Sequence, residues 1–147
     1  MSRIKLRLAL WKDEDFLRKI RNDNRRFFLN NKFIDKSDHH AWFRHKFYSD
    51  AIYIICFRNR RVGTVTLIKK GNVAELGRFI IEKSFRNRGL GHQAINEFKS
   101  ICRSLAIRRI VLETRKDNKN ALSLYAKEGF RMSKEDGEKV SMEMSLS

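Results

Sequence analysis

Residues 73–130 constrain the fold more than any other part of the chain, and the hexamer Arg86-Asn87-Arg88-Gly89-Leu90-Gly91 sets their geometry. Ahead of it, Glu75-Leu76-Gly77-Arg78-Phe79-Ile80-Ile81-Glu82 has the composition of a strand. Behind it, Leu90, Ala94, Ile95, Phe98, Ile101, Cys102 and Leu105 recur at helical spacing. A strand that enters a helix through glycines leaves the first helical N–H groups without intrahelical partners and aims them one way, with the positive end of the helix dipole behind them. Such a turn is a cradle for an anion. Gly89 and Gly91 permit unusual dihedrals and close approach of a ligand, and Arg86 and Arg88 add positive charge. The hexamer by itself is equally compatible with an ordinary capped turn, so the segment that follows matters.

That segment is a second strand and helix. Arg109 to Arg115 is β-branched and apolar through Ile110, Val111, Leu112 and Thr114, and Asn118 to Gly129 is a short helical run closed by glycine. Strand, crossover helix and strand from Glu75 to Arg115 ask for parallel pairing with a right-handed connection.

With Arg86, Gly89 and Gly91 followed by Asn118, Ala121, Tyr125, Gly129 and Phe130, the chain resembles the GNAT superfamily of acetyl-CoA-dependent N-acetyltransferases. The resemblance implies an α/β (α+β by some schemes) fold. It would have a mixed central sheet of about seven strands, a central parallel pair that splays apart, and about four flanking helices. It implies acetyl-CoA as co-substrate and no metal. Main-chain amides from Asn87 to His92, with Leu90 among them, would grip the pyrophosphate, and the free backbone near Phe79 and Ile81 would pair with the pantetheine amides. Asn118 and Tyr125 complete the expected cofactor contacts.

A narrower likeness lies upstream. Arg21-Asn22-Asp23, then Ile34, Ser37, His39, Trp42 and Phe43, resemble the start of acetyltransferases acting on nucleotide-linked amino sugars, as in flagellin-sugar pathways. It implies that Arg21, Asn22, His39 and Trp42 belong to an acceptor site. The alternative within the class is acetylation of a protein N-terminal amine, as in the ribosomal-protein branch.

Length and charge bound the rest. The 147 residues suit one domain spanning 1–147, and 41% hydrophobic residues, eleven of them Phe, suffice for a core. No apolar run approaches the roughly 18 residues of a membrane span, and no signal-peptide pattern opens the chain, so the expectation is a cytoplasmic protein. Cys56 and Cys102 fit no metal spacing and are expected to be buried thiols. The net charge of +16 attracts polyanions, including phosphorylated small molecules, but is spread along the chain. A basic nucleic-acid-binding module is the remote alternative; no helix-turn-helix, zinc finger or aromatic platform supports it. His39, His40 and His45 share one helix with no carboxylate or cysteine at ligand spacing.

The remaining elements follow from periodicity. Ile4, Leu6, Leu8 and Leu10 alternate as a first strand, Asp13-Glu14-Asp15 open a helix carrying Phe16, Leu17 and Ile20, and residues 25–36 are irregular. Ser37 is the expected N-cap of a second helix. Residues 51–58 are a strand buried on both faces, Asn59-Arg60-Arg61 a turn, and residues 62–69 a strand returning through Gly71-Asn72, which makes an antiparallel meander. A hairpin around Glu135-Asp136-Gly137 closes the chain, and an exposed last strand or helix would let two copies pair.

The expected chemistry needs a proton for the departing thiolate and a base for the amine. Tyr125, a phenol with an ordinary pKa of ~10, is the expected donor. By spacing alone it reads as a packed helix aromatic, and only the match of Asn118, Ala121, Gly129 and Phe130 reverses that reading. Glu113, on the last parallel strand, and Glu75, on the preceding one, are the candidate bases; either also has an arginine neighbour to pair with, Arg78 or Arg115.

Overall fold

The computed structural model describes residues 3–146. Strand β1 (Ile4–Leu8) leads through a 3-10 turn into helix α1 (Glu14–Asp23). Helix α2 (Lys36–Ser49) precedes the meander β2 (Ala51–Phe57), β3 (Arg60–Lys70) and β4 (Val73–Ile81). Helix α3 (Leu90–Ser104), β5 (Arg109–Arg115), α4 (Lys119–Lys127), β6 (Arg131–Asp136) and β7 (Lys139–Ser145) complete the chain. The sheet runs β1-β2-β3-β4-β5-β7-β6, with β4 and β5 parallel and every other neighbouring pair antiparallel. This is the mixed seven-stranded architecture with four helices expected from the sequence.

Helices cover both faces. Leu90, Ala94, Ile95, Phe98 and Cys102 of α3, with Tyr125 of α4, pack on Ile55, Val65, Leu67, Leu76, Ile110 and Leu112. On the other side, Leu17 of α1 and Phe43 of α2 pack on Ile52 and Ile54. Strand β2 thus feeds both cores, which accounts for its unbroken apolar run. No helix among the described residues is long and apolar enough to cross a membrane.

Several local expectations need correction. The N-cap of α2 is Asp35, not Ser37: its backbone is extended and its carboxylate accepts a hydrogen bond from the Asp38 N–H at 2.8 Å. A carboxylate there also faces the positive helix end. The β2–β3 turn is Arg58-Asn59, both at positive φ (52° and 64°), so Arg60 already belongs to β3. A two-residue hairpin turn demands that conformation at both positions, and Asn tolerates it well. The first strand stops at Leu8, and Leu10 is exposed. Asp13 does not serve the α1 dipole. Its side chain is buried, bonded to Arg7 at 2.8 and 3.0 Å, to the Leu10 N–H at 2.8 Å and to Arg61 at 3.2 Å. Cys102 is buried, and desolvation pushes its thiol up to about 11, whereas Cys56 is only half-buried beside a bulge in β2.

One irregularity shapes the molecule. Between Thr66↔Gly77 and Thr64↔Ile80, β4 carries one more residue than β3, and Arg78 at that bulge sits at φ 44°. A bulge bends its strand and raises its twist. Accordingly β4 stays paired with β5 only through Val73↔Arg109, Ala74↔Ile110 and Glu75↔Val111. Beyond Glu75 the two strands diverge. Gly63 on β3 faces the bend, where an added Cβ would lie 2.2 Å from the Ile80 carbonyl oxygen, so no side chain fits there.

Candidate active site

The divergence of β4 and β5 opens a cleft of about 650 Å³. Its walls are β4 from Glu75 to Ile81, Glu113 and Thr114 of β5, the turn before α3, the inner face of α4, and the segment Phe27–Asn30. Along that stretch the β5-facing edge of β4 has no ladder partner, so apart from the Ile81 carbonyl, which Arg86 engages, its N–H and C=O groups are available to an extended ligand.

At one end lies the start of α3. Gly89 caps the helix at φ 75°, Asn87 precedes it at φ 64°, and no side chain caps the helix. The first ladder bond comes from Gln93 N to Gly89 O at 3.3 Å, which leaves the Leu90, Gly91 and His92 amides aimed outward. Open space surrounds the Cβ position of Gly89, so the glycine is there for its backbone angle. Gly91 instead allows contact: a Cβ would meet Leu124 of α4 at 3.1 Å. The side chains nearby are engaged elsewhere. Arg86 donates to the Ile81 carbonyl at 2.9 Å and to the Asn24 side-chain oxygen, and its guanidinium lies over Phe27 at 5.6 Å. His92 Nδ1 meets Glu128 at 2.9 Å. Arg88, outside the cleft lining, lies over Phe85 at 5.4 Å.

Tyr125 forms the wall between α4 and β4. Its ring packs against Phe79 (centroids 6.2 Å apart) and edge-on to Phe130 (5.6 Å). Burial pushes its hydroxyl well above the ordinary tyrosine value, so it is protonated throughout the physiological range. Asn118 accepts from the Ala121 N–H at 3.4 Å and thereby starts α4, which aims Tyr125 inward. The two carboxylates differ. Glu113 is exposed and bound to Lys139 at 3.0 Å, while half-buried Glu75 has no such cation among the described residues.

The opposite end is built around arginine. Arg21 is buried and donates to the carbonyls of Lys32 (2.9 Å) and Asn30 (2.6 Å). Asn22 donates to Ile34 O at 2.8 Å and accepts from Ile34 N at 2.9 Å. Both therefore pin the loop after α1; Arg21 lines the cleft and Asn22 does not. His39 is fully buried, with neither ring nitrogen hydrogen-bonded and Glu14 at 3.8 Å, too far for such a bond. Trp42 packs against His39 (centroids 5.4 Å apart) and carries the Arg78 guanidinium at 3.7 Å. Neither His39 nor Trp42 borders the cleft directly.

The profile of the acetyltransferase (GNAT) family matches residues 16–130, most of the chain. The chain belongs to the GNAT acetyltransferase family. Among curated proteins it is 31% identical over 74 residues to the uncharacterized protein YxbD of Bacillus subtilis strain 168, half of this chain and 45% of that one. The chain thus spans less than half the length of that relative. A domain from Methanocaldococcus jannaschii superposes with a TM-score of 0.90 over 99% of this chain and 100% of its own, at 19% identity. The spermidine N-acetyltransferase of Vibrio cholerae, solved with CoA and spermine, gives 0.86 over 99% and 96%, at 18% identity. At identities this low, the superpositions show a shared fold and nothing finer.

Within that GNAT fold, Arg78 and Asn24 were not foreseen as site residues. Gly77 inside a strand was the available signal, since a glycine there often marks a bulge. Gly77 touches β3 so closely that a Cβ would lie 2.7 Å from Thr66 Oγ1. The residue that the bulge then aims at the cleft is its neighbour.

Proposed function

We propose that the protein moves an acetyl group from acetyl-CoA to a primary amine by direct attack within a ternary complex. The observation that carries this reading is the juxtaposition of three features in one cleft: uncapped α3 amides, an unpaired β4 edge, and a protonated tyrosine between them. The Leu90, Gly91 and His92 amides suit a diphosphate. The edge from Phe79 to Ile81 suits the amides of the pantetheine arm. The amine nitrogen bonds to the thioester carbonyl carbon as the C–S bond breaks, the electron pair leaves on sulfur, and Tyr125 supplies the proton that makes the free thiol. The new ammonium passes its surplus proton to water or to a carboxylate. Glu75, without an ion pair among the described residues, suits that role better than Glu113, which Lys139 holds at 3.0 Å.

The favoured acceptor is a nucleotide-linked amino sugar. The likeness over Arg21 to Phe43 and the charge of +16 support it. Calorimetric titration with acetyl-CoA, followed by thiol-release assays against a nucleotide-linked amino sugar, a polyamine and a peptide amine, tests both levels. Absence of acetyl-CoA binding would remove the enzyme reading, and turnover of the peptide or polyamine alone would replace the acceptor.

A further inference from the structure

The cleft contains a guanidinium whose position is hard to explain by folding. Arg78 sits at the extra residue of the β4 bulge, at φ 44°, a conformation that costs a residue with a side chain about 1 kcal/mol or more. Its guanidinium carbon lies over Trp42, 3.7 Å from the ring centroid, and Arg78 lines the cleft. No carboxylate pairs with it among the described residues. Desolvation first, and the neighbouring charge of Arg21 second, hold its pKa down to about 10. A half-buried cation with a second arginine beside it and no counter-ion is a standing electrostatic cost, relieved when an anion arrives.

The supporting residues prevent internal relief. Arg21 spends its terminal nitrogens on loop carbonyls, so it adds charge without competing for the ligand. Trp42 holds the guanidinium against its ring face without neutralising the charge, and His39 packs against the same indole, ring centroids 5.4 Å apart.

We propose that Arg78, held by the β4 bulge and the Trp42 face, is an oxyanion receptor for the acceptor, so the preferred amine carries a phosphate or carboxylate. This rests on the acetyl-transfer reading above and narrows it: cationic polyamines are disfavoured, and Trp42 acts as a positioning residue through Arg78. A planar guanidinium offers two parallel N–H donors to either oxyanion.

The test compares matched amines in the thiol-release assay: O-phosphoethanolamine with ethanolamine, β-alanine with 3-aminopropanol, and spermidine alone. Wild-type protein is expected to prefer at least one anionic member by about 10-fold or more in kcat/KM, the scale of one charge-assisted hydrogen bond. A response confined to one pair identifies the oxyanion as phosphate or carboxylate. The variant is Arg78→Asn, since Asn tolerates the left-handed backbone; it should bring the anionic-to-neutral ratio to within about twofold of unity, with Arg78→Lys intermediate. Trp42→Leu should lower the same ratio, mainly through KM. A wild-type preference for the neutral members or for spermidine overturns the proposal, as does a ratio that survives Arg78→Asn. If none of these amines is turned over, O-phosphoethanolamine and β-alanine are titrated into the CoA-saturated protein. Heat that vanishes in Arg78→Asn supports the receptor, and no heat in the wild type overturns it. Failure of acetyl-CoA itself to bind is a separate result and removes the underlying acetyl-transfer reading.

Discussion

Acidification should destabilise this protein through His39. The imidazole is fully buried against Trp42 and Phe43. Desolvation is the main cause that holds its pKa down, to about 4, with Arg78 and then Arg18 adding to it and Glu14 opposing. Glu14 is a weak counterweight, since it already meets His40 at 2.8 Å. In the unfolded chain the ring titrates near 6.5, so between pH 6.5 and 4 the unfolded state binds a proton that the folded state refuses, and stability falls as pH falls. At about 1.36 kcal/mol per unit, the full loss below pH 4 is about 3 kcal/mol, most of it already accrued at pH 4.5. Replacing His39 by Phe keeps a ring in the slot and removes the titration. Urea unfolding of wild type and His39→Phe at pH 7.5 and 4.5 isolates the histidine, because every other group titrates in both proteins. The wild type should lose about 2 to 3 kcal/mol more than the variant over that interval. An equal loss in both proteins would refute a neutral, desolvated His39.

Three further outcomes are expected. Tyr125→Phe should lower kcat by about 10²- to 10⁴-fold while leaving acetyl-CoA affinity in calorimetry nearly unchanged, because the ring packing survives and only the proton donor is lost. Gly63→Ala should destabilise by about 3 kcal/mol in chemical denaturation, the upper range for overpacking, because its Cβ would lie 2.2 Å from a backbone oxygen that cannot swing aside; an unchanged midpoint would show that the β4 bend is not fixed there. At Asp13, burial pushes the carboxyl up, but the Arg7 bond, the Leu10 amide and Arg61 outweigh it and hold it at about 2. Its contribution is therefore present above pH 3.8 and lost as pH falls toward 2, and Asp13→Ala should cost about 1 to 3 kcal/mol at pH 7 by removing the acceptor of the Leu10 amide and the partner of two half-exposed arginines.

The sequence revealed features whose causes are local. Gly89 before a helical apolar stripe, Asn118 three residues before Ala121, and Gly71 between two strands each state a backbone requirement within a few residues, and each appears where expected. Features fixed by distant partners were illegible. Arg21 and Asn22 read as acceptor-site residues, and Arg21 does line the cleft, but their second role in pinning the loop was hidden because the partners, loop carbonyls and amides 9 to 12 residues away, have no side-chain signature. Arg78 looked like an ion-pair partner for a strand carboxylate; only the β3–β4 register, with its extra residue between the Thr64↔Ile80 and Thr66↔Gly77 pairs, turns it toward Trp42. The Asp35 cap was missed in favour of Ser37 because both residue types cap helices, and the choice rests on which one has extended backbone.

Two leaves of sheet, β1 to β4 and β5 to β7, are stitched together along a seam of three residue pairs. Helix α3 is the spine behind that seam: Ala94, Ile95 and Phe98 lie in one apolar cluster with Leu76 from the first leaf and Ile110 and Leu112 from the second. How wide the book stands open is therefore set by the same side chains that keep it bound. Substitutions on the inner face of this helix should move aperture and melting temperature together, even where they lie far from any ligand.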